Sequence, residues 1–272
     1  AKQQKKSKKI LFSHPGASFG GIVYRNLAYE DCQKILDLIE KEALENNFDD
    51  IFIIQPPTVF CKYQNDEIVD YCLRRRNYNS NENYLTSVLL VEQNVNNQIR
   101  KICRNKNRSE NYYNKLIQKN SLSFKWMSRF DDFFPILIKN KKKHNASPTH
   151  SLEELEKLRL LFPNDVLQLM LYKDGAIGGM TIFRANQKSI IIFYSMFDYK
   201  YNSLQPIALL MQYLIRWCNK NNIKIIDYGV SHQPSSKSSS PTKLLELNKS
   251  LIRFKEEFGC FASIRNTYHK GE

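Results

Sequence analysis

Apolar positions recur at helical spacing through residues 29–46, where Cys32, Ile35, Leu36 and Ile39 fall on one face. This pattern predicts an amphipathic helix. A second apolar helix is predicted further along the chain, with a start at Leu204. The other predicted elements are helices at residues 66–76, 131–143, 151–162 and 247–258, and strands at residues 10–13, 19–24, 51–55, 84–92, 122–127, 166–172, 179–183, 189–196, 223–228 and 260–267.

Two local signals make these assignments more definite. Residues 173–175, Lys-Asp-Gly, separate two apolar runs and indicate a β-hairpin. Ser151 precedes an apolar run, and Glu154 lies three residues after Ser151. This is the spacing of a capping box at a helix start. The alternation of strands and helices predicts a mixed α/β fold.

The two halves of the chain repeat one plan: a strand pair, a long helix, an apolar strand, another helix and a closing strand. This repeat predicts a first, partial lobe over residues 1–95, a basic helical connection over residues 96–121 and a second lobe over residues 122–272. Only 28 residues precede the long helix of the first half, so we expect that lobe to be truncated at its N-terminal side.

Composition narrows the classes of function. The chain carries 41 Lys and Arg against 27 Asp and Glu, a formal net charge of +14, which is compatible with a polyanionic partner or a phosphate-rich ligand. The basic runs at residues 1–9, 74–76, 98–108 and 138–143 are equally compatible with solvated surfaces. A simple nucleic-acid-binding protein has only this charge in its favour, because no helix-turn-helix, zinc-finger or RNA-recognition signature is present.

The cysteine pattern and the length of the apolar runs indicate the cellular compartment of the protein. The six cysteines form no Cys-x-x-Cys pair and do not cluster with the five histidines, which predicts reduced thiols and no structural metal. No apolar run approaches the roughly 20 residues that span a bilayer. We therefore expect a cytoplasmic protein without an integral membrane segment.

Several stretches resemble the FemAB-like acyl- and aminoacyltransferases, in particular a branch encoded near polysaccharide genes, and the strand–helix order is similar to the Gcn5-related N-acetyltransferase (GNAT) fold. The fold class this implies is α/β with tandem GNAT-like lobes and mixed sheets. The matching stretches are Ser-His-Pro-Gly at residues 13–16, Phe-Gly-Gly at 19–21, residues 148–155, Leu-Phe-Pro at 161–163, Ile-Asp-Tyr-Gly-Val-Ser at 226–231 and residues 248–259.

The resemblance implies transfer of an acyl group from acyl-CoA to an amine of an amino-sugar acceptor in cell-surface glycan synthesis, with acyl-CoA as co-substrate and no tightly bound cofactor. The acceptor is nucleotide-linked or lipid-linked. Two alternatives stay open. One is aminoacyl transfer from aminoacyl-tRNA to a peptidoglycan-like precursor. The basic segment 95–143 supports this alternative. The other is a non-catalytic module that binds a nucleotide sugar, because no R/Q-x-x-G-x-G/A pyrophosphate loop precedes Leu204.

The candidate residues follow from this chemistry. A helix N-terminus attracts phosphates, so the segment before Leu204 is the candidate donor site, with Ser203 or Asn202 as the expected helix cap. An acid, a base and oxyanion donors are needed for acyl transfer. The catalytic candidates are Asp227, Tyr228, Ser231 and His232; the donor-binding candidates are Tyr201, Asn202, Ser203 and Gln205; the acceptor-binding candidates are Ser13, His14, Gly20, Gly21 and Lys255.

Overall fold

The computed structural model describes residues 8–14, 17–24, 26–60, 67–143, 145–232 and 246–271. Its helices are α1 (Tyr29–Glu45), α2 (Ile68–Arg75), α3 (Val95–Asn105), α4 (Glu110–Lys119), α5 (Phe134–Lys143), α6 (Leu152–Leu161), α7 (Pro206–Lys220) and α8 (Lys249–Glu256). Its strands are β1 (Ile10–Phe12), β2 (Asp50–Ile54), β3 (Asn79–Leu90), β4 (Ser123–Met127), β5 (Val166–Tyr172), β6 (Ala176–Asn186), β7 (Ser189–Phe197), β8 (Ile225–Val230) and β9 (Phe261–Gly271).

The chain divides into two units. Unit 1 comprises the described residues of Ala1–Thr86, Ser231–Leu247 and Ser263–Glu272, and unit 2 those of Ser87–Val230 and Asn248–Ala262. The C-terminal strand thus returns to the unit in which the chain begins. The sequence-based division at residues 95 and 121 follows a different criterion, the repeat of elements, and stays a prediction.

Unit 1 is built on a mixed sheet with the strand order β1-β2-β9-β3. β1 pairs with β2 in parallel, and β2 pairs with β9 in antiparallel register, Ile53 opposite Tyr268. The helical spacing in α1 places Cys32 and Leu36 in the core, where they join Ile53 and Tyr268. One face of the unit 1 sheet is therefore covered by the amphipathic helix that the sequence predicts.

Unit 2 has the strand order β3-β8-β7-β6-β5-β4. Strands β4 to β7 form an antiparallel meander, and β7 then pairs in parallel with β8. Helix α7 connects β7 to β8, as a parallel pair requires. Ten of the 15 residues of α7 are buried, so it packs into the core on more than one side.

The mixed α/β class with mixed sheets is confirmed. The capping box is also confirmed, because Ser151 Oγ accepts from the Glu154 amide and the Glu154 carboxylate accepts from the Ser151 amide. The strand expected at residues 19–24 is wrong. That segment follows an irregular path and makes one backbone hydrogen bond to β2, from the Gly20 amide to the Ile54 carbonyl (3.0 Å).

Five cysteines lie in the described part of the chain, and all five are buried: Cys32, Cys72, Cys103, Cys218 and Cys260. Cys61 lies outside the described residues, as do Pro15 and Gly16 of the Ser-His-Pro-Gly stretch and most of the basic run 1–9. Within the described ranges, no helix combines the length and apolarity needed to cross a membrane.

Candidate active site

Strands β7 and β8 of unit 2 pair at one end and separate towards the other, which leaves a fork between them. They pair only over residues 189–191 and 225–227, although β7 continues to Phe197 and β8 to Val230. Tyr228 crosses this fork, with its hydroxyl 3.3 Å from the Ser195 hydroxyl on β7. Burial raises the pKa of the Tyr228 phenol, so the group stays protonated at neutral pH and can donate a proton or a hydrogen bond.

A buried lysine lies at the C-terminal end of β8. The Lys255 ammonium, on α8, donates to the carbonyl oxygens of Gly229 (2.7 Å) and Val230 (3.0 Å), and the residue is only 3% exposed. Burial lowers the pKa of Lys255 to about 8, against the opposing effect of the negative charge of Asp227. The ammonium also lies 5.4 Å from the centre of the Tyr228 ring. A cation and a neutral phenol therefore meet at the end of β8.

The backbone turn at Gly229 creates this arrangement. Gly229 has a φ of +75°, which favours glycine, and its amide donates to Asp227 Oδ1 (2.7 Å). This short-range bond fixes the Asp227 carboxylate and aims the Gly229 carbonyl at Lys255. Asp227, Tyr228 and Lys255 of the predicted set are thus brought together within unit 2.

The neighbouring thiol is not a nucleophile in this arrangement. Burial raises the pKa of Cys260 to about 12, although the positive charge of Lys255 lowers it somewhat. The thiolate is the reactive form of cysteine, so Cys260 is unreactive at neutral pH.

The segment before α7 differs from the expected helix start. Tyr201, Asn202 and Ser203 lie in a 3₁₀ helix, Tyr199–Leu204, and α7 begins only at Pro206. The prediction that Ser203 or Asn202 caps the long helix is therefore wrong. The N-cap is Gln205, with a φ of +49°. The reason is Pro206, which disfavours helical geometry in the residue before it and is itself suited to the first helical position.

Gln205 is held in place by a residue that sequence reasoning missed. The Tyr113 hydroxyl, from α4, donates to Gln205 Oε1 (2.8 Å), so this side chain does not cap α7. Asn202 and Ser203 are exposed. Of the four predicted donor-binding residues, two therefore face solvent beside a helix start that lacks a side-chain cap.

Three lysines surround the beginning of the same 3₁₀ helix; we call Lys139, Lys143 and Lys200 the lysine cluster. Asp198 lies 2.9 Å from the Lys139 ammonium and 3.8 Å from that of Lys200. The Lys143 ammonium lies 3.6 Å from the centre of the Tyr199 ring. All three lysines are exposed. A single carboxylate leaves this cluster with a net positive charge that an anionic ligand can use.

Ser231 and His232 belong to unit 1. The Ser231 amide donates to the Leu85 carbonyl (3.1 Å), and the side chain is fully buried. Its hydroxyl has no hydrogen-bond partner among the described residues. His232 packs edge-on against Tyr84, with the ring centres 5.4 Å apart. The roles assigned to Ser231 and His232 stay predictions.

A cavity of about 400 Å³ lies in unit 1, between β1, β2, α1 and the segment after β1. Four predicted acceptor-binding residues line it together. They are Ser13, His14, Gly20 and Gly21. The fifth, Lys255, lies in unit 2 and holds two backbone carbonyls there.

Close packing explains the two glycines. A Cβ on Gly20 would collide with the His14 side chain, and one on Gly21 would collide with the Gln55 amide. The His14 ring donates from Nδ1 to the Gly20 carbonyl (2.8 Å). The backbone of His14 is in the left-handed region, with a φ of +49°. Sequence reasoning missed Gln55, because its approach to Gly21 depends on tertiary packing.

The fold is similar to that of several solved structures. The chain matches FemX with a TM-score of 0.67 and 10% identity, over 90% of this chain and 79% of FemX. It matches L-PGS from Bacillus licheniformis with a TM-score of 0.54 and 10% identity, over 88% of this chain and 73% of that one.

A third match is the C-terminal domain of a putative lysylphosphatidylglycerol synthetase from Agrobacterium fabrum, with a TM-score of 0.54 and 11% identity, over 90% and 75% of the two chains. No family model matches the sequence, and no curated protein matches it. The FemAB-like, GNAT-type fold that the motifs predict is confirmed by the structural matches.

Proposed function

We propose that this chain is an acyltransferase, which moves an acyl group from an activated donor to an amine of an amino-sugar acceptor in cell-surface glycan synthesis. The fold shared with FemX supports the reaction class. The observation that carries the proposal is the buried ammonium of Lys255 beside the protonated phenol of Tyr228.

The surroundings of Lys255 suit a developing negative charge. Its hydrogen bonds among the described residues go to two carbonyl oxygens, and the negative charge of Asp227 offsets the effect of burial only in part. Burial makes the charged form costly, as the lowered pKa of about 8 reflects. An oxyanion near this ammonium recovers part of that cost, which is the basis of electrostatic stabilisation of a tetrahedral intermediate.

The reaction then proceeds by direct transfer. The amine nitrogen attacks the acyl carbonyl carbon, and the carbonyl oxygen gains the negative charge that Lys255 stabilises. When the oxyanion collapses, the bond to the leaving group breaks and Tyr228 protonates the leaving atom. The amine loses one proton to Asp227 or water, and this proton restores Tyr228, so no net proton is consumed.

The donor is assigned to the segment before α7. Tyr201, Asn202, Ser203 and Gln205 follow the residues around which the lysine cluster lies. Two of its cations contact the Asp198 carboxylate, and the third, Lys143, lies over the Tyr199 ring. Phosphates of an acyl-CoA fit this excess of charge and the N-terminal end of α7.

Aminoacyl-tRNA is a second candidate donor. The last turn of α5 carries Lys141, Lys142 and Lys143 in succession, a longer basic surface than one coenzyme needs. Such surfaces bind nucleic-acid backbones in a salt-dependent way. The name of one structural match, a putative lysylphosphatidylglycerol synthetase, also describes a product that carries an amino acid.

Thermal unfolding with separate donors tests the proposal. Ligands that bind only the folded state raise the melting temperature. We expect acetyl-CoA to raise that of the wild type, and the double variant Lys143→Ala/Lys200→Ala to lose most of the shift. The matched control is Lys119→Ala/Lys220→Ala, which removes two exposed lysines at the C-terminal ends of α4 and α7, away from the N-terminal end of α7.

The outcomes separate the candidates. A shift with bulk tRNA alone, abolished by high salt, replaces acyl-CoA with aminoacyl-tRNA. A shift with neither donor, together with no product when both are offered with amino sugars, overturns the acyltransferase and leaves the nucleotide-sugar-binding module.

A further inference from the structure

The cavity of unit 1 has the wrong chemistry for a sugar ring. Eight of its twelve lining residues have apolar side chains: Leu11, Phe12, Ile22, Ile35, Ile39, Ile51, Phe52 and Ile53. A sugar carries several hydroxyl groups, each of which loses hydrogen bonds to water on entering an apolar site and needs a polar partner there. These apolar side chains offer none.

We propose that this cavity binds the aliphatic chain of a lipid-linked acceptor. The proposal rests on the acyltransferase function above and names the class of its acceptor: a single-chain or polyisoprenoid-type amphiphile, rather than a nucleotide-linked sugar. A methylene-rich chain needs no hydrogen bonds and gains free energy from every apolar contact.

One edge of the cavity is polar, as an amphiphile requires. The Ser13 hydroxyl accepts from the Ile54 amide (3.0 Å), and the His14 ring is held by its bond to the Gly20 carbonyl. With the His14 proton on Nδ1, Nε2 of the neutral ring is a hydrogen-bond acceptor. His14 is exposed, so a polar head beside it keeps access to water.

The size of the cavity sets the length of chain that it can enclose. At roughly 30 Å³ per methylene, which is about the volume of one water molecule, a cavity of about 400 Å³ holds on the order of a dozen carbons. Two exposed apolar side chains are neighbours of lining residues in the sequence. Val23, next to the lining residue Ile22, is 93% exposed, and Leu38, between Ile35 and Ile39, is 66% exposed.

A chain-length series tests the inference. The probes are n-alkyl β-D-glucosides from hexyl to tetradecyl, each below its micelle concentration, titrated by calorimetry without any acyl donor. We expect affinity to rise about three- to fourfold per added methylene and to level off near twelve carbons. Glucose is the control probe and should not bind measurably.

Variants on α1 locate the binding site. Ile39→Trp fills the cavity, and we expect it to weaken dodecyl glucoside at least tenfold. Leu44→Trp is the matched control, because Leu44 is on the same helix, is 79% exposed and does not line the cavity. The wild-type series remains decisive if Ile39→Trp fails to fold.

Three results overturn the inference: an affinity that does not change with chain length, an affinity that Ile39→Trp leaves intact, or binding of a UDP-amino sugar that Ile39→Trp abolishes while alkyl glucosides do not bind. Because the titration contains no donor, these results are independent of the donor test of the acyltransferase. A flat series with an intact acetyl-CoA shift removes the lipid-linked acceptor only.

Discussion

Two buried charged residues, Asp50 in unit 1 and Lys255 in unit 2, differ in the charge of the groups that surround them. Asp50 on β2 is 5% exposed and lies 3.2 Å from the Lys8 ammonium and 3.0 Å from His269 Nε2. Lys255 is 3% exposed and donates to two neutral carbonyls. The hydrogen-bond partners of Asp50 thus include a cation, whereas the two carbonyls that Lys255 contacts carry no charge.

The pKa values of these two groups express the difference. Burial raises the pKa of Asp50, but hydrogen bonds to His269 and Lys8 outweigh it, and the net pKa is lowered. Burial also lowers the pKa of Lys255. A lowered pKa favours the charged form of an acid and disfavours that of a base. The surroundings therefore stabilise the charge of Asp50 and destabilise that of Lys255, to which the proposed function gives a role in the reaction.

Removal of the Lys255 charge should have the largest effect on activity. We expect Lys255→Met to lower kcat about 100- to 1000-fold, the effect of losing one oxyanion donor. The free energy of unfolding should change little, since the lost hydrogen bonds to the Gly229 and Val230 carbonyls oppose the gain from replacing a costly buried charge with an apolar side chain of similar length. Steady-state kinetics and urea unfolding measure the two quantities.

Lys249→Met is the control for that variant, because Lys249 is an exposed lysine on the same helix. It should change neither quantity noticeably. If Lys255→Met retains full activity or loses several kcal/mol of stability, Lys255 is a structural residue like Asp50 and the contrast between the two charges disappears.

Proton binding by Lys255 should produce opposite trends in rate and stability. Activity that needs the ammonium falls as pH rises through about 8. Between that value and the unfolded pKa of about 10.4, the unfolded chain binds more protons, so the contribution of Lys255 to the free energy of unfolding rises with pH. A pH profile of kcat/KM and a parallel series of unfolding curves check both trends, which Lys255→Met should abolish.

Neutralising Asp50 should affect stability and not rate. We expect Asp50→Asn to lower the free energy of unfolding by roughly 1–2 kcal/mol, since two charge-assisted bonds are weakened, with kcat unchanged. The lowered pKa of Asp50 means that its contribution is present above the unfolded value of about 3.9 and is lost as pH falls through the folded value.

Lys8→Ala should lower the free energy of unfolding by less than Asp50→Asn. The Lys8 side chain is 53% exposed, so the pair is screened by water and its loss should cost at most about 0.5 kcal/mol. A larger loss for Lys8→Ala than for Asp50→Asn would contradict the view that His269 supplies most of the compensation.

Local patterns in the sequence were sufficient for elements whose determinants lie within a few residues. The helical spacing of α1 and the capping box at Ser151 are examples. The start of α7 was misplaced because the conformational effect of Pro206 on Gln205 competes with the capping preference of Ser203. Weighing Pro206 as a first helical residue would have corrected it.

The candidate site could be predicted only residue by residue. Tyr228 and Lys255 were named from motifs, but their partners were not. The Ser195 hydroxyl lies 33 positions from Tyr228 in the chain, and Asp50 lies 219 positions from His269. Such pairs depend on strand order and register, which no short pattern encodes. The apolar walls of the cavity likewise come from separate elements.

The buried cysteines give each unit an internal reporter of local opening. Cys32 and Cys72 lie in the core of unit 1, and Cys103 and Cys218 lie in that of unit 2. A shielded thiol reacts with an alkylating reagent only when its surroundings open transiently. The rate at which mass spectrometry finds each of these sites alkylated therefore compares the breathing of the two units within one native molecule, without any introduced label.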